Sequence, residues 1–120
     1  MEYQRLYNWV KLAGAASELE FGPNQIALAA WDGRPICIGR YKNRLFAFAY
    51  KCPHASGLLS DGFIDALGNV VCPLHRYRFS ISTGHNVSGE GYRLRHWPVE
   101  ERPDGLYLGL PFTGPAPPDL

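Results

Sequence analysis

Turn-forming residues interrupt this chain at short intervals: Gly22-Pro23-Asn24, Asp32-Gly33, Lys42-Asn43, Asp61-Gly62, Gly68-Asn69, Thr83-Gly84 and Asp104-Gly105. A chain broken so often can build little beyond short elements. Residues 44–51 show what those elements are, with Leu45, Ala47 and Ala49 on one side and Phe46, Phe48 and Tyr50 on the other. That alternation is the period of a strand. Similar patterns run through residues 25–31, 35–41, 69–72, 76–80, 92–99 and 106–110, and no segment shows convincing helical amphipathicity beyond one turn at 17–21. Many short strands joined by tight turns predict an all-β fold, an antiparallel sandwich or small barrel.

With 120 residues, one compact domain through residue 110 is expected, followed by a tail over residues 111–120 that holds four prolines and one glycine. The formal charge of +1 and the lack of a long basic run argue against nucleic acid as a partner. No stretch approaches the roughly 20 apolar residues of a membrane helix, so no membrane span is expected. The first seven residues lack the basic-then-apolar layout of a secretory signal, which predicts a cytoplasmic protein. Three cysteines, an odd number, point to metal binding or burial ahead of a disulfide framework.

Two segments combine turn chemistry with metal-ligand residues: Cys52-Pro53-His54-Ala55-Ser56-Gly57 and Cys72-Pro73-Leu74-His75-Arg76-Tyr77. Each places a thiol and an imidazole within a few residues, and the proline after each cysteine fixes φ and stiffens the loop. Two such loops facing each other would present two sulfurs and two nitrogens to a metal. Zinc and an iron-sulfur cluster are the two readings. Zinc modules usually group like ligands, cysteine pair then histidine pair, whereas here Cys-His is followed after 17 residues by Cys-His. That order suits a two-iron centre with both cysteines on one iron and both histidines on the other.

The CPH and CPLH motifs, with Leu59-Ser60-Asp61-Gly62 after the first and residues 79–84 after the second, resemble the Rieske family over roughly residues 7–110. The resemblance implies a Rieske-like antiparallel base with an inserted cluster-binding subdomain at about residues 50–84. It implies one [2Fe-2S] cluster per chain, with Cys52 and Cys72 on the inner iron and His54 and His75 on the outer iron. A core of charge +2 with two thiolates is neutral, so an added electron meets less negative charge than with four thiolates. Potentials then fall between about −150 and +300 mV. High-potential members add a disulfide between the loops and serine and tyrosine donors to the cluster sulfurs. Here those positions match Gly57, Leu74, Tyr77 and Phe79, which predicts the low end of that range. Arg76 stands where the family often has glycine, and Ser88-Gly89-Glu90-Gly91 where it has Gly-Pro-Ala.

The resemblance implies a one-electron carrier, a Rieske-type ferredoxin that takes electrons from a flavin reductase and passes them to a terminal oxygenase. The alternatives are a Rieske-like small subunit of a larger oxidoreductase, such as NAD(P)H nitrite reductase, and a structural zinc-binding module. No catalytic residue is assigned, for the chain offers no nucleophile with a paired base and no phosphate loop. Cys37, between Ile36 and Ile38, reads as a small buried hydrophobe. His85 and His96 lack ligand spacing and read as surface or packing residues. Tyr50, Leu58, Leu59 and Leu74 are candidates for an apolar shield that doubles as a docking patch.

Overall fold

In a computed structural model the alternating segments pair into ten strands, described over residues 7–53, 57–74, 76–89 and 91–111. The strands are β1 (Tyr7–Ala13), β2 (Ile26–Trp31), β3 (Arg34–Tyr41), β4 (Arg44–Ala49), β5 (Phe63–Ile64), β6 (Asn69–Val71), β7 (Arg78–Ser80), β8 (His96–Trp97), β9 (Val99–Arg102) and β10 (Gly105–Pro111). They form three antiparallel sheets, ordered β1-β10-β9, β2-β3-β4-β8 and β5-β6-β7. The β2-β3 and β3-β4 hairpins turn on Asp32-Gly33 and Lys42-Asn43, and all four residues have positive φ. Two left-handed residues in a row match the natural twist of the flanking strands.

The middle sheet is buried on both faces. From β3, Cys37 enters one core and Ile36 and Ile38 the other; from β4, Phe48 enters the first and Ala47 the second. The first core joins Cys37 and Phe48 to Val70, Phe79, Leu59, Cys52 and Cys72, and so couples the sheet to the β5-β6-β7 layer. The second joins Ile36, Ile38 and Ala47 to Leu108, with Val10, Leu12 and Val99 packed around it from the β1-β10-β9 sheet. The β2-β3-β4-β8 sheet is thus the partition on which the loop-bearing layer rests.

The strand pattern departs from expectation where proline and length intervene. Residues 92–99 read as one strand, yet pairing there is confined to His96–Trp97, opposite Phe48 and Ala47, and to Val99, which opens β9 opposite Leu108. Pro98 has no N–H to donate and divides β8 from β9, while its carbonyl accepts the Gly109 N–H at 2.9 Å. β1, β5 and most of β9 fall outside the segments that alternation identified. Residues 16–18 form a single 3-10 turn near the expected helical turn. Pro111, the first residue of the expected tail, ends β10 opposite Tyr7, a strand-terminal place that proline tolerates. The rest of the tail, 112–120, lies outside the described residues. Among the described residues no helix is long and apolar enough to cross a membrane.

Candidate metal centre

The two cysteine loops close in the same way. The Cys52 N–H donates to the Gly57 carbonyl at 2.9 Å, and the Cys72 N–H donates to the Tyr77 carbonyl at 2.8 Å, each five residues on. Beneath the first loop Lys51 pairs with Leu58, and the Leu59 N–H donates to the Tyr50 carbonyl at 2.8 Å. The second springs from the end of β6 and returns into β7. Each loop therefore begins at a cysteine whose backbone amide is already committed, which fixes where its side chain leaves the chain.

Both cysteines are buried, Cys52 at 4% exposure and Cys72 at 0%, and their side chains meet in hydrogen-bond contact. Burial, and to a lesser degree the Cys52 thiol, pushes the Cys72 thiol up to about 11, while the Leu74 backbone N–H donated to its sulfur acts the other way. All three cysteines are free thiols. A thiol raised in this way, as that of Cys72 is, loses its proton more readily where a cation takes up the charge. An iron held by both sulfurs supplies that cation, so the pair fits thiolate ligation. His54 and His75, the other two expected ligands, lie outside the described residues.

Gly57 sits against the second loop. A β-carbon there would stand 3.2 Å from the Cys72 Sγ and 3.1 Å from the Leu74 Cγ. The two positions matched to the bridging cysteines of high-potential Rieske proteins therefore face each other, with no sulfur to join them. Phe79 is fully buried in the core beside Cys72, and Tyr77 packs partly buried against that core.

Other side chains set the loops in place without any mark of chemistry in the sequence. Asn24 looks like a turn residue, but its Nδ2 donates to the carbonyls of Ser60 at 3.0 Å and Gly62 at 2.9 Å. Its own carbonyl accepts the Ile64 N–H at 3.2 Å, so one residue ties the start of β2 to the chain between the loops. Asp65 accepts the N–H groups of Leu67 and Asn69 and pairs with Arg78 at 3.5 Å. At Gly84, with φ of +76°, a β-carbon would fall 2.2 Å from the Leu94 carbonyl oxygen. That close approach draws residues 84–94 in beside the second loop, where the Tyr92 ring lies 6.1 Å from that of Tyr77. An asparagine inside a turn triplet was the only signal for Asn24.

The remaining candidates sort by burial. Cys37 is fully buried, and its thiol is pushed up to about 12, chiefly by desolvation and then by Asp61, which suits a buried packing residue. His85 and His96 are exposed. Of the apolar shield, Leu74 is 43% exposed and Tyr50 and Leu58 are half-buried, but Leu59 is 0% exposed and belongs to the core. Leu59 is excluded from a docking patch because its side chain packs among Cys52, Cys72 and Phe79.

Comparison with known proteins follows the same outline. The family described as Rieske [2Fe-2S] domain matches residues 8–98. The 3-phenylpropionate/cinnamic acid dioxygenase ferredoxin subunit of Photorhabdus laumondii is 32% identical over 96 residues, 79% of this chain and 81% of that protein. The ferredoxin component of the alkene monooxygenase system of Xanthobacter autotrophicus is 24% identical over 98 residues, 72% of this chain and 80% of the other. Among solved structures, a chain of the complex of reduced oxygenase and oxidized ferredoxin in carbazole 1,9a-dioxygenase superposes with a TM-score of 0.71. It is 26% identical and covers 88% of this chain and 97% of its own. Matched along most of its length and not at the ligand motifs alone, the chain belongs to the Rieske [2Fe-2S] domain family.

Proposed function

We propose that this chain is the ferredoxin component of a cytoplasmic oxygenase system, receiving single electrons from a flavin reductase and handing them to the oxygenase. As a Rieske domain it carries a [2Fe-2S] cluster, which accepts and releases one electron. The assignment of the ligands is Cys52 and Cys72 to one iron and His54 and His75 to the other. One observation carries it: two buried thiols, each at the start of a loop closed by the same backbone hydrogen bond, meet side by side. The Leu74 N–H, aimed at the Cys72 sulfur, would hold negative charge on that thiolate and steady it through a change of oxidation state.

The relatives supply the role. Two of them are ferredoxin components of a dioxygenase and a monooxygenase system, matched over about four-fifths of their length. We assign the Rieske domain to residues 1–110, with residues 50–84 as the cluster-binding part and 111–120 as a proline-rich tail whose first residue, Pro111, ends β10. The β5-β6-β7 layer and both closed loops fall inside residues 50–84, which supports that division.

The test is absorption spectroscopy of protein purified without oxygen, followed by electron paramagnetic resonance after dithionite reduction. A red-brown protein with a rhombic signal, average g below the free-electron value and potential nearer about −150 than +300 mV, is expected. A colourless protein holding stoichiometric zinc would overturn the reading. In His75→Cys the potential falls or the cluster fails to assemble; an unchanged potential removes His75 from the ligand set.

A further inference from the structure

Most cations of this protein are already engaged. Arg40, Arg44, Arg95 and Arg102 lie over aromatic rings at 4.2 to 5.5 Å, Arg78 pairs with Asp65, and Arg93 donates to the Thr83 carbonyl. Lys42 sits over Tyr41. Among the described residues, Lys11, Arg34, Lys51 and Arg76 make no such contact. Two of these four flank the cysteine loops: Lys51 directly precedes Cys52, and Arg76 lies inside the second loop, and both are exposed.

Arg76 also holds an uneasy backbone, with φ of +57°. That region is open to glycine and costs any residue with a β-carbon. The other side-chain-bearing residues with positive φ have local reasons. Asp32, Lys42 and Asn43 make hairpin turns, and Gln25 binds Arg40 through both its backbone and side-chain carbonyls. No contact among the described residues accounts for an arginine at position 76.

Charge is uneven in the same direction. Between residues 50 and 95 the sequence holds the cations Lys51, Arg76, Arg78, Arg93 and Arg95 against the carboxylates Asp61, Asp65 and Glu90, and Arg78 occupies Asp65. The rest of the sequence holds seven cations and eight carboxylates. Resting on the electron-carrier reading, we propose that Arg76, supported by Lys51, makes the loop end a cationic docking face for a redox protein that presents carboxylates at its contact surface. Leu74, 43% exposed two residues from Arg76, gives the face an apolar spot of the kind a brief, small interface uses.

The experiment reduces the cluster-loaded protein and mixes it in a stopped-flow instrument with cytochrome b5, whose surface is acidic, or cytochrome c, whose surface is basic. One electron leaves the protein and one ferric haem becomes ferrous. The expected result is a rate constant for cytochrome b5 that falls with ionic strength, and that drops about ten-fold at low salt in Arg76→Glu, with a smaller drop in Arg76→Gly. Cytochrome c should change the opposite way, and Arg76→Lys should keep the original preference. Arg76→Gly should also unfold at a higher temperature, so that stability rises while the preference for the acidic partner weakens. Equal rate changes for both haem proteins, or rates indifferent to salt, would overturn the docking proposal. Wild-type protein that reduces neither sinks the carrier reading, and the docking face with it.

Discussion

The two faces of the β2-β3-β4-β8 sheet are finished by different means. On one, Ile36, Ile38, Ala47 and Leu108 close an aliphatic core against the β1-β10-β9 sheet. On the other, the core includes two touching thiols beside Phe48, Val70 and Phe79, and the layer that covers it has strands of two or three residues tied down by backbone closures and by Asn24 and Asp65. The first face is closed by carbon packing alone; on the second, burial raises the Cys72 thiol, which lies in contact with that of Cys52. With Cys52 and Cys72 as the proposed iron ligands, folding of the loop layer is expected to be linked to iron and that of the base far less. The largest expected effect follows. Cys72→Ser should abolish the visible chromophore and speed amide exchange in β5, β6 and β7, while β1 and β10 keep their protection. Equal loss of protection in both sheets would show that the two faces fold as one unit.

Phe48 probes the partition itself. It is fully buried on the thiol side of β4, a strand whose Ala47 serves the opposite core. Phe48→Ala should lower stability by about 3 to 5 kcal/mol, as large-to-small changes in closed cores do. Denaturant unfolding followed both by the cluster's absorbance and by far-ultraviolet circular dichroism checks this. The absorbance midpoint should move further than the dichroism midpoint; coincident shifts would erase the distinction between the faces.

How legible each region was in the sequence follows the same divide. β3 and β4 appeared nearly to the residue, because burial on two faces leaves a long apolar run between unmistakable turns. β5 did not appear, since two residues are too few for a period to register, and Pro98 hid the break between β8 and β9 inside an alternating stretch. In the centre, Cys52 and Cys72 were evident from motif and spacing, and the structure brings their sulfurs together. The contact of Gly57 with Leu74 followed from the family resemblance. Leu59 looked like a loop-tip shield from its place in the sequence, but only the packing shows it inside the core. Asn24 was illegible for a physical reason: its partners, Ser60 and Gly62, are carbonyls, and every residue has one.

Asn24 offers a gentler break between the layers. Its Nδ2 satisfies two carbonyls in the segment between the loops while its own chain belongs to the approach to β2. Removing the amide in Asn24→Ala strands both acceptors, at a cost of about 1 to 3 kcal/mol. Exchange protection should fall at Ile64 and its neighbours and hold at Val10 and Leu108. Substitution by aspartate should not rescue it, because a carboxylate cannot donate to carbonyl oxygens.

The smallest expected effect separates Cys37 from the cysteines of the loops. Burial first, and Asp61 second, raise its thiol from the ordinary 9.0 to about 12. The folded value thus lies above the unfolded one, so the stabilisation is fully present below pH 9.0 and is lost as pH climbs toward 12. Between about pH 8 and pH 10 that loss amounts to about 1 kcal/mol, because only the unfolded thiol releases its proton there. In Cys37→Ala, less stable throughout for lack of a sulfur's volume, the decline over that interval should be shallower by the same amount. The cluster's spectrum should not change, since Cys37 lies on β3 and is outside the proposed ligand set. Parallel pH profiles for the two proteins would mean that the thiol titrates in the folded state as freely as in the unfolded chain.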